Sequence, residues 1–565
     1  MKELARDIKF FLNHKVYMLI LGVSAACSYG FAITHYAIGM DDTAVPLYFD
    51  EGLAPYVGRW TLFIINKIFH IADFVPWMTE LVSVLLLMLS VTVWCVLFYR
   101  ITRRKIKVPA GAFGLVAGIF ISCPLISEVF VFYLHNGICI GYGLTALSLL
   151  LLLESLRSGN KETGKKRFLS LLLSALLLTT ALGCYESFAI VFGIGAILLL
   201  FLIRLVYGKK AEGSEYDGRL IPWMVSCLGV GGVSLVLRMM ILKIIGICWH
   251  LERFDAMGIN YRSFFAGFAS LFTDRAEMMM ELKRFWLKYY LNAFVYLPIM
   301  VLVLALLLIG ICSIWYGIRK RDVVLPLCVM AIVLIPVFMC ILEGLATRYR
   351  TGQYIPLLGA FGAFLVLLWV YHDSKMKKVV QIIAYALLTI LLYNQCADMN
   401  QWFYLDYRKY EYTREVLEQV AYDLESNYDT SKPLIFRGAN KVPYEVAQDD
   451  YVSFHSPGYR MISRISDLVD PHLKEKYYAE NGRGYIISEG PVTSTLQWGL
   501  TAFDGTSGQL VRFLQMQGHS FVYEKDLQKI DDAEHIREET RMPAYPRAGY
   551  IMEYPEYIII NLESE

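Results

Sequence analysis

Charge is scarce in this chain: of its 565 residues only 18% are charged while 56% are hydrophobic, with a mean hydropathy of +0.45. A soluble domain of average composition carries about 25% charged residues, so an ordinary soluble protein is excluded for most of the length. The net charge of +2 supplies no global field directed at nucleic acid or an acidic partner. Cysteine is absent from the last 169 residues, and the eleven cysteines lie between Cys27 and Cys396. Their number is odd, almost all sit in apolar segments, and no pair shows metal-ligand spacing. They read as small apolar packing residues, which excludes a disulfide framework. A Gly-rich phosphate loop is missing from the C-terminal segment, as is any His/Cys cluster, so no nucleotide site is expected there. No internal repeat or low-complexity tract occurs. No cleavable signal is expected either. Lys2, Arg6, Lys9 and Lys15 precede an apolar run that is full length and has no small-residue cleavage site, so it reads as a retained first span.

What the chain has in abundance is long apolar runs. They recur at 16–38, 77–99, 109–125, 137–154, 168–183, 188–207, 220–245, 291–318, 323–342, 353–371 and 379–397. About 20 apolar residues cross a bilayer as a helix, so the reading is an α-helical multi-spanning membrane protein with about eleven transmembrane helices. The segments 1–15, 100–108, 155–167, 208–219, 319–322 and 372–378 hold 23 Lys and Arg, whereas 39–76, 126–136, 184–187 and 343–352 hold four. Basic loops stay in the cytoplasm. The N-terminus is therefore expected inside, and the segment after the last span outside. Two long outer segments, 39–76 and 246–290, mix aromatic, apolar and basic residues and read as helices lying in the interface. After Ala397 the composition changes sharply. Val416, Leu417, Val420 and Leu424 mark an amphipathic helix over 409–428. Strand-like runs follow at Pro433–Phe436, Tyr485–Ser488 and Tyr557–Asn561, with a helix near Gly508–Met516. The expected organisation is a membrane domain over 1–397 and an extracytoplasmic soluble α/β domain over 398–565.

The outer side gathers the residues able to do chemistry. Asp41 and Asp42 follow the first span directly. Carboxylates are unfavourable at a helix C-terminus, where the free carbonyls are already partly negative, and ionisable groups near hydrocarbon mark functional sites. The plain structural alternative is that one Asp caps the next helix. Arg59 and Trp60 sit on the first interfacial segment, Glu128 in a short outer loop that ends near His135, and Glu186 in a turn with almost no room between spans. Arg348 and Arg350 precede the tenth span. Carboxylates suit proton abstraction from a hydroxyl, and arginine suits bidentate binding of phosphate oxygens. The alternative for each is an interfacial ion pair or a loop anchor.

Residues 28–42, Ser-Tyr-Gly-Phe-Ala-Ile-Thr-His-Tyr-Ala-Ile-Gly-Met-Asp-Asp, with Gly-Arg-Trp at 58–60 and Asn-Lys-Ile-Phe at 66–69, resemble the N-terminal signature of the bacterial type II O-antigen glucosyltransferase family. The stretch Asn400 to Gly438, with Arg-Lys-Tyr-Glu-Tyr and Lys-Pro-Leu-Ile-Phe-Arg-Gly, is similar to the start of that family's outer domain. The resemblance covers the whole chain in layout, with its sharp motifs in the first 100 residues and near 400–438. It implies a GT-C-type glycosyltransferase of the bacterial inner membrane. Such an enzyme takes a hexose, glucose by family, from a polyprenyl-phosphate carrier on the outer face and passes it to a cell-surface glycan. Enzymes of that class place an acidic residue in the first outer loop as base or acceptor-binding group, and only Asp41 and Asp42 match that position. Arg59 and Trp60 match the Gly-Arg-Trp element, to which the resemblance assigns no role.

The expected chemistry is an inverting transfer. One carboxylate of Asp41 and Asp42 serves as base, and Arg348 or Arg350 meets the departing phosphate. Arg59, Trp60, Glu128 and Glu186 are the other substrate-binding candidates. The expected partners are the polyprenyl-phosphate hexose donor, a glycan acceptor and the bilayer, without nucleic acid. No cofactor is expected, and nothing in the sequence supports a divalent cation. Two other classes stay open. A transporter or flippase of a lipid-linked glycan would show related halves and ionisable groups near the bilayer midplane; a non-catalytic scaffold would leave the aspartate pair unexplained.

Overall fold

The structure is a computed structural model. It describes the chain except residues 1, 40–41, 46–48, 51, 70–75, 131–134, 158–163, 210, 212, 250–271, 287–299, 344–350, 373–377, 439, 441, 444–445, 447–495, 497–504 and 564–565. Among the described residues, each of the eleven apolar runs falls on a helix, and 291–299 of the eighth run lie outside them. The helices are Lys15–Thr34, Pro76–Thr102, Ala110–Ile121, His135–Ser155, Gly164–Leu182, Phe188–Tyr207, Leu220–Trp249, Met300–Lys320, Val324–Glu343, Ile355–His372 and Lys378–Asn427. Among the described residues, seven of them are long and apolar enough to cross a membrane. Ala110–Ile121 is shorter than its run and is followed by a turn of 3-10 helix at Pro124–Ile126.

These helices pack as one bundle with one continuous core. Lipid offers no hydrophobic drive between spans, so close packing and polar contacts must hold them. Both are present. Tyr142 donates its hydroxyl proton to the Gln353 carbonyl oxygen at 2.7 Å, Tyr29 to Ile121 O at 2.7 Å, and Ser83 to Asn136 Oδ1 at 2.5 Å. A Cβ on Gly141 would overlap the Phe188 ring, so the bare backbone there lets the two helices meet.

One end of the bundle is tied by charge. Arg100 pairs with Asp7 and Glu154, each at 2.7 Å, while Arg157 pairs with Glu3 at 3.3 Å and Glu215 at 3.2 Å. Arg104 also meets Glu215. Arg204 joins Asp322 at 2.6 Å and donates to Gly218 O at 2.7 Å. Five of the six basic segments are thus drawn to one end. The aspartate turn, the Gly-Arg-Trp element and the Glu186 turn lie at the opposite helix ends.

The last span does not stop near Ala397. Helix Lys378–Asn427 runs unbroken for 50 residues, about 75 Å at 1.5 Å per residue. Its sequence turns from apolar to amphipathic but contains no Gly or Pro, so composition changes without a break in the backbone. Its distal half enters a second core. There β1 (Leu434–Arg437) pairs in parallel with β3 (Ile558–Asn561), and β2 (Ile551–Glu553) pairs antiparallel on the other side of β3. Strand alternation sorts the side chains. Leu434, Phe436, Ile558 and Ile560 face Val420, Leu424 and helix Gly508–Met516, while Ile435 and Ile559 face Ile530 and Ala533 of helix Leu527–Glu539. The expected run 485–488 lies outside the described residues.

Candidate active site

The first span ends at Thr34, and its continuation folds onto the second core rather than into open solvent. His35 stacks on Phe31, with ring centroids 4.0 Å apart, and meets the Tyr407 ring edge-on at 5.4 Å. Tyr36 meets Tyr410 at 5.9 Å, and Ile38 is buried among the apolar side chains of the strands and of helix Gly508–Met516. The chain then turns tightly at Asp42–Ala44. Gly39 N–H donates to Asp42 Oδ2 at 2.5 Å, and Asp42 N–H donates to Gly39 O at 3.3 Å. Asp42 is buried, and so is Thr43, whose hydroxyl donates to Gln509 Oε1 at 2.5 Å. The structural alternative is an Asp that caps the next helix; Asp42 instead closes a loop back onto the Gly39 amide that precedes it.

A second group forms around the Gly-Arg-Trp element. Gly58 has φ of +85°, and helix Trp60–Phe69 starts two residues later. Thr61 N–H donates to Gly183 O at 3.0 Å and the Thr61 hydroxyl to Thr180 O at 2.8 Å, which fixes this helix on the turn between two spans. A Cβ on Gly183 would overlap the Trp60 indole and the Thr61 hydroxyl, so glycine is what admits the tryptophan. The Arg59 guanidinium lies 5.2 Å from the centroid of the Tyr185 ring, within cation–π range. Next in sequence, Glu186 accepts a hydrogen bond from Arg238 Nη2 at 2.8 Å. A Cβ on Gly58 would stand 2.6 Å from that nitrogen and 3.2 Å from Glu186 Oε1. Arg59 and Trp60 from one segment and Glu186 from another, all three sequence candidates, meet here.

Arg238 is a residue the sequence reading missed. It sits within the apolar helix Leu220–Trp249 and is buried. A lone arginine in such a run was the available signal, since charges inside spans pair with one another. Glu80 was missed as well. It is the fifth residue of Pro76–Thr102, three residues before Ser83, and its buried Oε2 has no hydrogen-bond partner among the described residues. Glu128 falls in the short helix Ser127–Phe130. Its side chain, Asp41, Arg348 and Arg350 lie outside the described residues.

This end of the bundle carries carboxylates, a guanidinium on an aromatic ring and an indole, an assortment suited to a polar, hydroxylated substrate. A cavity of about 780 Å³ lies instead near the charged end, lined by Val16, Leu19, Ile20, Ala112, Leu115 and Leu392. Its walls suit hydrocarbon, not sugar. Comparison with known proteins decides the class: a family model described as Glucosyl transferase GtrII matches residues 30–367. The chain belongs to the GtrII glucosyl transferase family. No curated protein and no solved structure matches it. The GtrII match begins inside the first span and takes in the aspartate turn, the Gly-Arg-Trp element, the Glu186 turn and Arg238. It ends before helix Lys378–Asn427.

Proposed function

We propose that this GtrII glycosyltransferase moves glucose from a polyprenyl-phosphate carrier to a cell-surface glycan such as O-antigen, on the outer face of the bacterial cytoplasmic membrane, with inversion at the anomeric carbon. The observation that carries the reading is the family match over residues 30–367. A carboxylate of the Asp41/Asp42 pair takes the proton from an acceptor hydroxyl. The freed oxygen attacks the anomeric carbon opposite the phosphate. The bond from that carbon to the phosphate oxygen breaks, and polyprenyl phosphate leaves with the electron pair. Asp42, already bonded to Gly39 N–H, supports the turn, and Asp41 is the base. Arg348 or Arg350 pairs with the departing phosphate. Arg59, Trp60, Glu128 and Glu186 line the substrate path, and the segment 398–565 stands outside the membrane beside it.

The donor is the point to test. Nucleotide sugars are confined to the cytoplasm, so a donor used outside must have crossed the membrane already, as a lipid-linked sugar has. Purified protein is expected to transfer hexose from polyprenyl-phosphate glucose to a glycan acceptor and to leave UDP-glucose unused. Robust transfer from UDP-glucose with the lipid donor inert would overturn the assignment.

Orientation has its own test, motivated by the basic segments gathered at one end. Cysteine placed at Asp50 or Asp532, both exposed, is expected to react with an impermeant thiol reagent in intact cells. Cysteine at the exposed Lys165 is expected to react only after the membrane is opened. Labelling of position 165 from outside would reverse the topology and remove the site from the outer face.

A further inference from the structure

We infer that Gln509 is a positioning residue for the aspartate turn, so that the C-terminal strands and helices set the geometry of transfer although they lie beyond the matched family region. The inference rests on the reading of Asp41 and Asp42 given above. Thr43 and Gln509 are 466 residues apart in sequence, yet the Thr43 hydroxyl donates to Gln509 Oε1 at 2.5 Å. Both residues are almost fully enclosed, at 1% and 4% exposure. A buried hydroxyl without an acceptor is costly, so this bond selects one arrangement of the turn that holds Asp42 and follows Asp41.

Gln509 is itself firmly held. It is the second residue of helix Gly508–Met516, and Ser507 just before that helix accepts the backbone N–H of Phe436 at 2.8 Å. Phe436 belongs to β1, which pairs with β3 along its whole length. Leu510 and Phe513 from the same helix are buried beside Ile38, on the near side of the turn. The path from sheet to Gln509 to Thr43 therefore leads directly to Asp42, the neighbouring residue, by described contacts. Helix Lys378–Asn427 joins the sheet to the bundle without a break, and its Tyr407 and Tyr410 rings meet His35 and Tyr36. The turn is fixed from both sides by the C-terminal segment.

The test is Gln509→Leu, nearly the same size but without the acceptor, assayed as full-length protein with polyprenyl-phosphate glucose. Misplacing a reacting group by about 1 Å costs on the order of 100-fold in rate. The expected result is a fall in kcat of about 10- to 100-fold, with KM for the lipid donor changed less than about 2-fold, because donor binding is assigned above to Arg348 and Arg350. Thr43→Ser, which keeps the hydroxyl, is expected to retain most activity. Thr43→Val examines the same bond from its other end and is expected to show the same loss confined to kcat, which keeps the idea testable where Gln509→Leu fails to accumulate. Near-normal kcat in a folded Gln509→Leu or Thr43→Val protein would overturn the inference. If Asp41→Asn or Asp42→Asn is inactive in the same assay, the catalytic reading survives that failure. A rise in KM with kcat intact would likewise reject positioning in favour of a binding role.

Discussion

Asp41→Asn and Asp42→Asn proteins, purified at normal yield, are expected to lose transfer by about 10²- to 10⁴-fold, the usual cost of removing a general base. The substitution is chosen because it isolates basicity from shape. At position 42 the carboxylate accepts the Gly39 amide proton through Oδ2. An asparagine carbonyl oxygen accepts the same proton, so the turn and its Thr43–Gln509 bond are kept. A loss of rate then reports lost charge and basicity. The two positions are expected to differ. Asp42 already holds a backbone amide and acts in support, so Asp41→Asn is expected to be the more severe. Radiolabelled glucose transfer from the lipid donor, measured beside the melting temperature of each variant, separates rate from folding. Full activity in both single variants would leave Asp42 as a turn-closing residue and end the catalytic assignment.

How much of this was legible beforehand depends on the range of the interaction. Hydropathy is local, and each apolar run is helical over its described residues, because an apolar segment of that length has its lowest free energy as a fully hydrogen-bonded helix in lipid. Helix Gly508–Met516 and strands β1 and β3 were also legible within a residue or so, from patterns contained in a few residues. The unbroken helix Lys378–Asn427 was not. A change from apolar to amphipathic composition reads as a boundary, whereas only a backbone breaker makes one, and none is present. At the site, Arg59 and Glu186 stood out as polar residues in apolar surroundings, and Trp60 through its match to the Gly-Arg-Trp element. That they converge, and that Arg238 joins them, depends on three helices packing together. Gln509 gave no sign at all, since an ordinary glutamine on an amphipathic helix acquires meaning only through Thr43.

Glu186→Ala is expected to destabilise the bundle by about 1.5–3 kcal/mol, because it removes a charge-assisted hydrogen bond from a buried guanidinium. Arg238 is 4% exposed at its side chain and Glu186 15%, with 2.8 Å between Nη2 and Oε1. The pair stands where helix Leu220–Trp249 passes the turn between two spans, so neither group has bulk water as a ready substitute. Removing both charges, as Glu186→Gln with Arg238→Met, is expected to cost less than Glu186→Ala alone, because the buried guanidinium goes together with its carboxylate. Gly58→Ala reports on the same contact from the third side. Its Cβ would stand 2.6 Å from Arg238 Nη2, on a backbone with φ of +85°, so alanine there faces both a clash and a strained conformation. Thermal unfolding of detergent-solubilised protein measures all three, and a Glu186→Ala protein as stable as the parent would refute the buried-pair account. The double variant then separates architecture from chemistry. If it folds and transfers glucose at the parental rate, Glu186 and Arg238 hold the Gly-Arg-Trp element in place and touch no substrate. If it folds and is inactive, the carboxylate belongs to the substrate path beside Arg59 and Trp60.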